Sequence, residues 1–499
     1  VTYFPFQGVM TDTDIINANI VANANKQISD VKWLENEINK FKKSERRKWM
    51  LTGEAYYEGE HDILQHKRKV IGEGGRLTVN ENLPNNKRID NQYAKLVDQK
   101  VNFQLGKPLT IESEKDDYVK KLQTILNKRF HRTLRNVGLD VINGGIGWLY
   151  PHYDEYGNFN IKRFRPWEII PYWQDSDRTV LNFAIRLYEE LEYDGDKEEV
   201  REKVDVFTAH GVEHYEFVNG KLYKDVTKPD VSPYIIISDG EEMKGANWRR
   251  VPLIPIKFNS VEIPLIKRVK SLQDGINKML STFENNMEED SRNTILVLKN
   301  YDGQDLGEFR RNLSIYGVVK TRSGDGMQGG VETLYIEVNA ENYKSILALF
   351  KKALIENGRG YDAKDERMSN NPNQMNIQSM YADIELDANG FEVELQASFE
   401  ELLWFIDMHL ANTNQGDFED EHVNIIFNRD MLINEKEVVE ILEKSPYLSI
   451  ETKIAQHPYT KDVELELKRL EKERQQYFNE MDNYETTFRQ KQGDVDGQE

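Results

Sequence analysis

His61 and His66 lie five residues apart beside Asp62, and His210 and His214 lie four apart. Such spacings are where a zinc site would be sought, because a helix brings residues i and i+4 to one face. A tetrahedral site needs further His, Cys or carboxylate ligands, and neither pair has a full set nearby. Gly211 and the strand-like pattern around it oppose helical geometry at the second pair. Packing or surface histidines are the expectation at both places. Gly106-Lys107 and Gly220-Lys221 invite comparison with a phosphate-binding P-loop. That loop needs a glycine five residues before the Gly-Lys pair and a Ser or Thr after the lysine. Val101 and Pro108 stand at those places for the first pair, and Leu222 follows the second. No nucleotide motor is expected. The 86 acidic residues allow many imagined acid–base pairs, but no nucleophile accompanies them. The expectation is no catalytic residue, no metal and no cofactor.

Composition sets the outer limits. At 499 residues the chain is long enough for several domains. Hydrophobic residues make up 38% and charged residues 30%, which points to a soluble protein with much polar surface. The absence of cysteine excludes disulfides and thiolate metal sites. The start, Val1-Thr-Tyr-Phe-Pro-Phe, lacks the basic and apolar regions of a secretory signal. No apolar run approaches the roughly 18 residues of a membrane span, so no membrane partner is expected. The formal charge of −20 disfavours broad gripping of a nucleic-acid backbone.

Periodicity predicts the elements. Val31, Trp33, Leu34, Ile38 and Phe41 mark a helix over residues 30–47, followed by a basic cluster from Lys42 to Lys48 that reads as a solvated face. Residues 144–258 change to strands, with a hairpin turn at Asp154-Glu-Tyr-Gly157 and a tight turn at Asn219-Gly220. Leu265, Val269, Leu272, Ile276, Met279 and Phe283 form a narrow helical seam, extended by Met287. Tyr343, Ile346, Leu347, Phe350 and Leu354 repeat it. Between these helices, strands are predicted at 295–303, 317–321 and 331–338, with a helical piece at 305–313 and a Gly-rich turn at 323–326. A polar loop follows at 358–374, interrupted by Pro372. A long helical stripe then runs from Ile377 to Leu410, with a possible bend at Gly390. A strand at 422–428, helices at 434–444 and 462–480, and a polar tail complete the chain.

The order helix, small β module, helix, polar loop, very long helix resembles the portal protein of tailed bacteriophages. The paired tyrosines before Gly59, the run Val97-Asp-Gln-Lys100 leading to Gly106-Lys-Pro108, and the segment from Pro458 to Leu467 are similar to the type found in long-tailed phages of Gram-positive hosts. The resemblance covers about residues 51–480. It implies an α+β, multidomain portal fold, with an α/β wing, a helical stem, a small β-containing clip and a mainly helical C-terminal crown. The N-terminal segment and wing would occupy 1–260, the first stem helix 261–291 and the clip 292–338. The second stem helix would occupy 339–357, the tunnel loop 358–375 and the long wing helix 376–412. A wing strand region at 413–434 and the crown and tail at 435–499 would follow.

The resemblance also implies a homo-oligomeric ring, twelvefold in assembled phages, at one capsid vertex of the virion. Such a ring is assembled in the host bacterial cytoplasm and passes double-stranded DNA during packaging and ejection. Its implied partners are the terminase large subunit, head-completion or adaptor proteins, and the major capsid and scaffolding proteins. The subunit would do no bond chemistry. Its seam (Leu265, Val269, Leu272, Ile276, Met279, Phe283) would lie partly between subunits. Lys364, Arg367, Asn370, Asn371, Asn373 and Gln374 would lie nearest DNA. A mainly acidic channel would draw on Glu284, Glu288, Glu289 and Asp290, and Lys267, Arg268 and Lys270 would face its wall too. Two other readings stay open: another acidic ring or tail component of a virion, or a metal-dependent nuclease or hydrolase.

Overall fold

The computed structural model describes residues 30–71, 76–79, 81, 83–175, 177–194, 197–239, 242–290, 295–299, 330–334, 340–362, 374–429, 435–460, 463 and 465–477. Helices begin where a side-chain oxygen can accept from the orphan N–H groups of a first turn. Asp30 does this for α1 (Val31–Lys42), and Ser44 for α2 (Glu45–Glu58), which ends at Gly59 in the left-handed region. The single helix expected over 30–47 is therefore two helices, because the Ser44 hydroxyl accepts from the Arg47 N–H and starts a new one. A short hairpin, β1 (Lys69–Ile71) with β2 (Leu77–Val79), follows. Asn91 caps α3 (Gln92–Leu105). Strand β3 (Thr110–Ser113) and helix α4 (Asp116–Ile125) lead to α5 (Lys128–Gly144), which Asn127 caps. Helices α2 and α5 cross where a Cβ on Gly53 would collide with the Asn143 carbonyl, so only glycine fits.

Strands then dominate, as expected. β4 (Ile146–Tyr153) and β5 (Phe159–Phe164) form the predicted hairpin, and β13 (Ile254–Lys257) pairs with the far side of β4. Strand β5 is thus an edge of the order β13-β4-β5. A second, five-stranded sheet is an antiparallel meander. It runs β6 (Ile169–Trp173), β7 (Leu181–Asp194), β8 (Lys197–Thr208), β9 (Gly211–Val218), β10 (Lys221–Lys224). Asn219 and Gly220 both have positive φ, +52° and +82°, the pair that a tight primed turn requires. The hairpin of β7 and β8 extends from Ala184↔Phe207 out to Asp194↔Lys197. Strands β11 (Ile235–Asp239) and β12 (Glu242–Ala246) make a separate ribbon.

Helix α6 (Ile266–Asp290) is followed by β14 (Ile295–Lys299), and β15 (Gly330–Leu334) pairs with β14 and precedes α7 (Ala340–Asn357). Helix α8 (Gln374–Asn412) runs through Gly390 as helix. Strand β16 (Val423–Ile426) pairs with β3. Helices α9 (Glu435–Glu443) and α10 (Ile450–Ala455) come last among the named elements, and residues 465–477 are also helical. The fold is α+β. The expected strand at 317–321, helical piece at 305–313 and turn at 323–326 lie outside the described residues. No helix among the described residues is long and apolar enough to cross a membrane.

The chain divides into two compact units. The first (Val1–Gly360 with Asp383–Asp430) holds three apolar cores. Leu34, Ile38 and Phe41 of α1 pack on Ile185, Val204 and Phe217 of the five-stranded sheet. Met50, Trp148, Trp173 and Phe207 belong to a second cluster. The largest gathers α3, α5, the base of α6, and Phe391, Leu395, Phe399 and Leu402 of α8. The second unit (Tyr361–Ala382 with Met431–Glu499) is helical among its described residues. Within it, Tyr459 donates to Glu435 at 2.6 Å and the Tyr361 and Tyr381 rings lie 4.7 Å apart.

Candidate functional site

Helix α6 carries two faces, only one of them apolar. Gln273, Asn277, Ser281 and Asn285 recur every fourth residue and are all buried. Each accepts from a backbone N–H of the chain leading into α3. The Tyr93 N–H donates to Gln273 Oε1 at 2.9 Å and the Asp90 N–H to Asn277 Oδ1 at 3.1 Å. The Arg88 N–H donates to Ser281 Oγ at 2.9 Å and the Asn86 N–H to Asn285 Oδ1 at 2.7 Å. An extended segment has no ladder partner for these donors, and this stripe supplies one. Salt bridges close the clamp from outside. Arg88 pairs with Glu284 of α6, and Lys351 of α7 lies 2.6 Å from Asp90.

His61 completes this network. Asn277 uses its oxygen on the Asp90 N–H, so its Nδ2 is left to donate to His61 Nδ1 at 2.7 Å. His61 Nδ1 must then accept, and Nε2 donates to the Tyr56 carbonyl at 3.0 Å. The imidazole is thus held neutral, 2% exposed, and stacked on Tyr56 at 4.3 Å. Burial lowers its pKa.

The start of the expected loop is tied to a point within α8 at a second cluster. Asp387 of α8 receives Lys100 at 2.8 Å, Arg359 at 2.8 Å and Arg268 at 3.2 Å. Lys100 also donates to the Arg359 carbonyl. Arg359 stands just past α7 with φ +50°, and Cβ atoms on Gly358 or Gly360 would run into Leu96. Burial would raise the Asp387 carboxyl, but the Lys100 and Arg268 charges hold it below its usual range. Burial pulls Lys100 down against the raising influence of Asp387.

The expected site residues fall in several places. Leu265, Val269 and Ile276 are 0% exposed within the single chain, so they are core residues and not a seam between subunits. The reason is that α6 lies against α2, α3 and α7 of its own subunit, which the period alone does not reveal. Leu272 is half-buried. Met279 and Phe283 are half-buried and line a cavity of about 190 Å³ with Tyr343 and Leu347 of α7. The Phe283 and Tyr343 rings lie 5.1 Å apart. Glu284 is spent on Arg88, Glu288 is exposed, and the side chains of Glu289 and Asp290 lie outside the described residues. Arg268 is bound to Asp387, and Lys270 to Asp62 and Asp274, so neither is a free wall cation. Lys267 is exposed. Lys364, Arg367, Asn370, Asn371 and Asn373, and the side chain of Gln374, lie outside the described residues. The Gln273-to-Asn285 stripe and Asp387 were missed. A polar four-residue repeat inside an apolar seam was the available signal.

Other clusters were weighed for chemistry. His214 Nδ1 meets Asp205 at 2.6 Å and Nε2 meets Ser232 Oγ at 3.0 Å, the order of a hydrolase triad. The Ser232 N–H, however, donates to the Val212 carbonyl at 2.8 Å and is unavailable to an oxyanion. Asp205 and His214 are direct cross-strand partners on β8 and β9, so the trio locks the sheet edge. Asp140 is gripped by Arg163 and Arg165, and burial lifts its carboxyl to about 6 against their pull. Among the described residues no group of three or more His, Asp or Glu could hold a metal ion.

Comparison with known proteins gives a consistent set of relatives. The family model described as phage portal protein, SPP1 Gp6-like, matches residues 37–479. The portal protein of Bacillus phage SPP1 is 29% identical over 471 residues, covering 94% of this chain and 91% of that protein. The portal protein of Clostridium phage phiCD119 is 26% identical over 445 residues, covering 84% and 91%. Among solved structures, a chain from the neck of the native GTA particle computed with C12 symmetry is similar at a TM-score of 0.36 and 10% identity. That similarity covers 73% of this chain and 88% of the other.

Proposed function

This chain belongs to the SPP1 Gp6-like family of phage portal proteins, and on that footing we propose that its copies close into a ring at one capsid vertex. Double-stranded DNA is packaged and ejected through the centre of that ring. The portal role itself follows from family membership over residues 37–479. The observation that carries the ring reading is the order of elements from 266 to 412. A helix, a two-stranded ribbon, a second helix and a very long helix follow one another, as a stem, clip and wing would require. The residues between α7 and α8 are then the tunnel loop. The Asp387 cluster fixes the end of α7 against a point in α8, so the loop starts from a rigid base. Terminase docks during packaging and head-completion proteins afterwards, and the subunit performs no bond chemistry.

Subunits meet through faces that the single chain leaves uncovered. Ile346 and Leu349 of α7 are 40% and 64% exposed, and Leu386 and Val393 of α8 are 60% and 67% exposed. These are apolar positions left open on two helices, as an interface between like copies requires. Negative-stain imaging of the purified protein tests the reading. Rings with a central hole and radial projections are expected. A protein that stays monomeric in every buffer and concentration tried would overturn it.

A further inference from the structure

The first unit contains a cleft of about 860 Å³ whose lining includes none of the residues assigned above to the ring, the loop or the subunit faces. Its volume is in the range of ligand-binding clefts, roughly 300–1,000 Å³. One wall is a face of α5, from Arg129 to Asn136, and the end of α8 at His409 to Gln415 forms another. The third is β5 itself, every residue from Asn158 to Arg163. Alternate residues of a strand point to opposite faces, so an unbroken run along the lining means that the cleft follows the strand's edge. Strand β5 is the outer strand of its sheet. Among the described residues no backbone partner meets β5 on the side away from β4.

The charge around this edge is opposite to that of the chain. Arg129 and Lys162 are exposed and, among the described residues, neither has an ion-pair partner, the Lys162 ammonium lying over the Tyr150 and Phe164 rings at 5.2 and 5.4 Å. The Asp154 carboxylate at the rim is already saturated. It accepts from the Tyr156 and Asn158 N–H groups and from the side chains of Asn158 and Asn160. Two cations without carboxylate partners, on a protein of net charge −20, favour an anionic ligand. Single-stranded nucleic acid would need free aromatic faces for stacking. The Phe159 ring is stacked on His409 at 4.7 Å, and Phe130 packs edge-on against Phe399 at 6.0 Å. An extended peptide can use both features at once, pairing its backbone with the strand edge and its carboxylates with the cations.

We propose that this cleft is a docking site for an extended acidic segment of a partner protein, added as a strand to β5 with its carboxylates on Arg129 and Lys162. The probe is a fluorescein-labelled octapeptide of alternating Glu and Val, titrated with the full chain at low salt and followed by anisotropy. Micromolar binding is expected. It should weaken at least tenfold for R129E/K162E, at least tenfold when alternate peptide nitrogens are methylated, and progressively with added salt. A Lys-Val octapeptide should not bind. Circular dichroism checks that the variant is folded; if it is not, Arg129→Ala carries the same test with at least a threefold loss. The proposal fails if the variant binds as well as the parent, if methylation has no effect, or if nothing binds up to millimolar protein. It also fails if a single-stranded oligonucleotide binds the cleft more tightly than the peptide. Loss of self-association in R129E/K162E, with peptide binding unchanged, would assign the cleft to a second copy of this chain instead.

Discussion

Two side chains show how single residues set the behaviour of the base of α6. His61 is a neutral acceptor toward Asn277, and its pKa lies below its ordinary value near 6.5. The unfolded chain therefore binds the proton at higher pH than the folded one. Stability from this group is full above about 6.5 and is lost as pH falls through the lower folded value. Asp140 works in the opposite direction, because its carboxyl is raised to about 6 in the folded state. A difference measurement isolates His61. His61→Gln keeps an acceptor and a donor but cannot titrate. The drop in melting temperature between pH 7.5 and 5.5 should be smaller in His61→Gln than in the parent, and equal drops would mean that the histidine is not held as described. Asp387 makes the second case. Its removal as Asp387→Asn leaves buried Lys100 (4% exposed) without its counter-charge. We expect a loss of roughly 3–5 kcal/mol, as for breaking a buried pair. Lys100→Met leaves Asp387 two guanidinium partners, Arg268 and Arg359, and should cost less. Denaturant unfolding of both variants checks the order, and a reversed order would place the cluster's strength elsewhere.

At the scale of elements, the sequence made the helices and the hairpins legible but not what each helix touches. Apolar spacing marked α6, α7 and α8 to within a few residues, and Asn219-Gly220 marked a turn that is found with both φ values positive. Periodicity reports that a face is apolar and says nothing of its partner. Ile276 therefore read equally well as an interface or as core. The use of His61 depends on Asn277, 216 residues away, which no spacing around His61 and His66 could reveal. The extent of the β7–β8 hairpin is not legible, because its outer part, Glu189 to Glu202, is rich in acidic residues with few apolar ones. The polar stripe of α6 yields an element-level prediction. Asn277 joins Asp90, Gln273 and His61, whereas Ser281 and Asn285 each hold one N–H of the extended segment. Each buried donor left unpaired costs about 1–3 kcal/mol. Asn277→Ala should therefore lower stability more than Ser281→Ala or Asn285→Ala. Hydrogen exchange at the Asp90 amide should speed up in Asn277→Ala. Unchanged exchange there would show that the stripe does not hold the segment.

For the whole molecule, the question is which apolar surface makes the ring and which makes the subunit. A protomer with no covered outer face would expose several large side chains to water, and α7 and α8 do so at Ile346, Leu349, Leu386 and Val393. Deep in the same subunit, Ile276 is fully enclosed. A charge placed at each kind of position separates the two roles. Ile276→Asp puts an unpaired carboxylate into the core, where desolvation costs several kcal/mol. It should yield misfolded or insoluble protein, seen as lost secondary structure and a lost cooperative melt. Leu349→Asp places the same carboxylate on a surface that is open in the protomer. Its circular dichroism and melting of the isolated subunit should match the parent. In the ring that carboxylate would be buried against a neighbour without a partner, so assembly should fail, leaving folded monomers by chromatography with light scattering. The two outcomes test different links. Intact rings of Leu349→Asp would remove α7 from the interface while leaving the family role untouched. A well-folded, ring-forming Ile276→Asp would mean instead that the base of α6 is not the core of the protomer, and the seam first expected between subunits would regain its case.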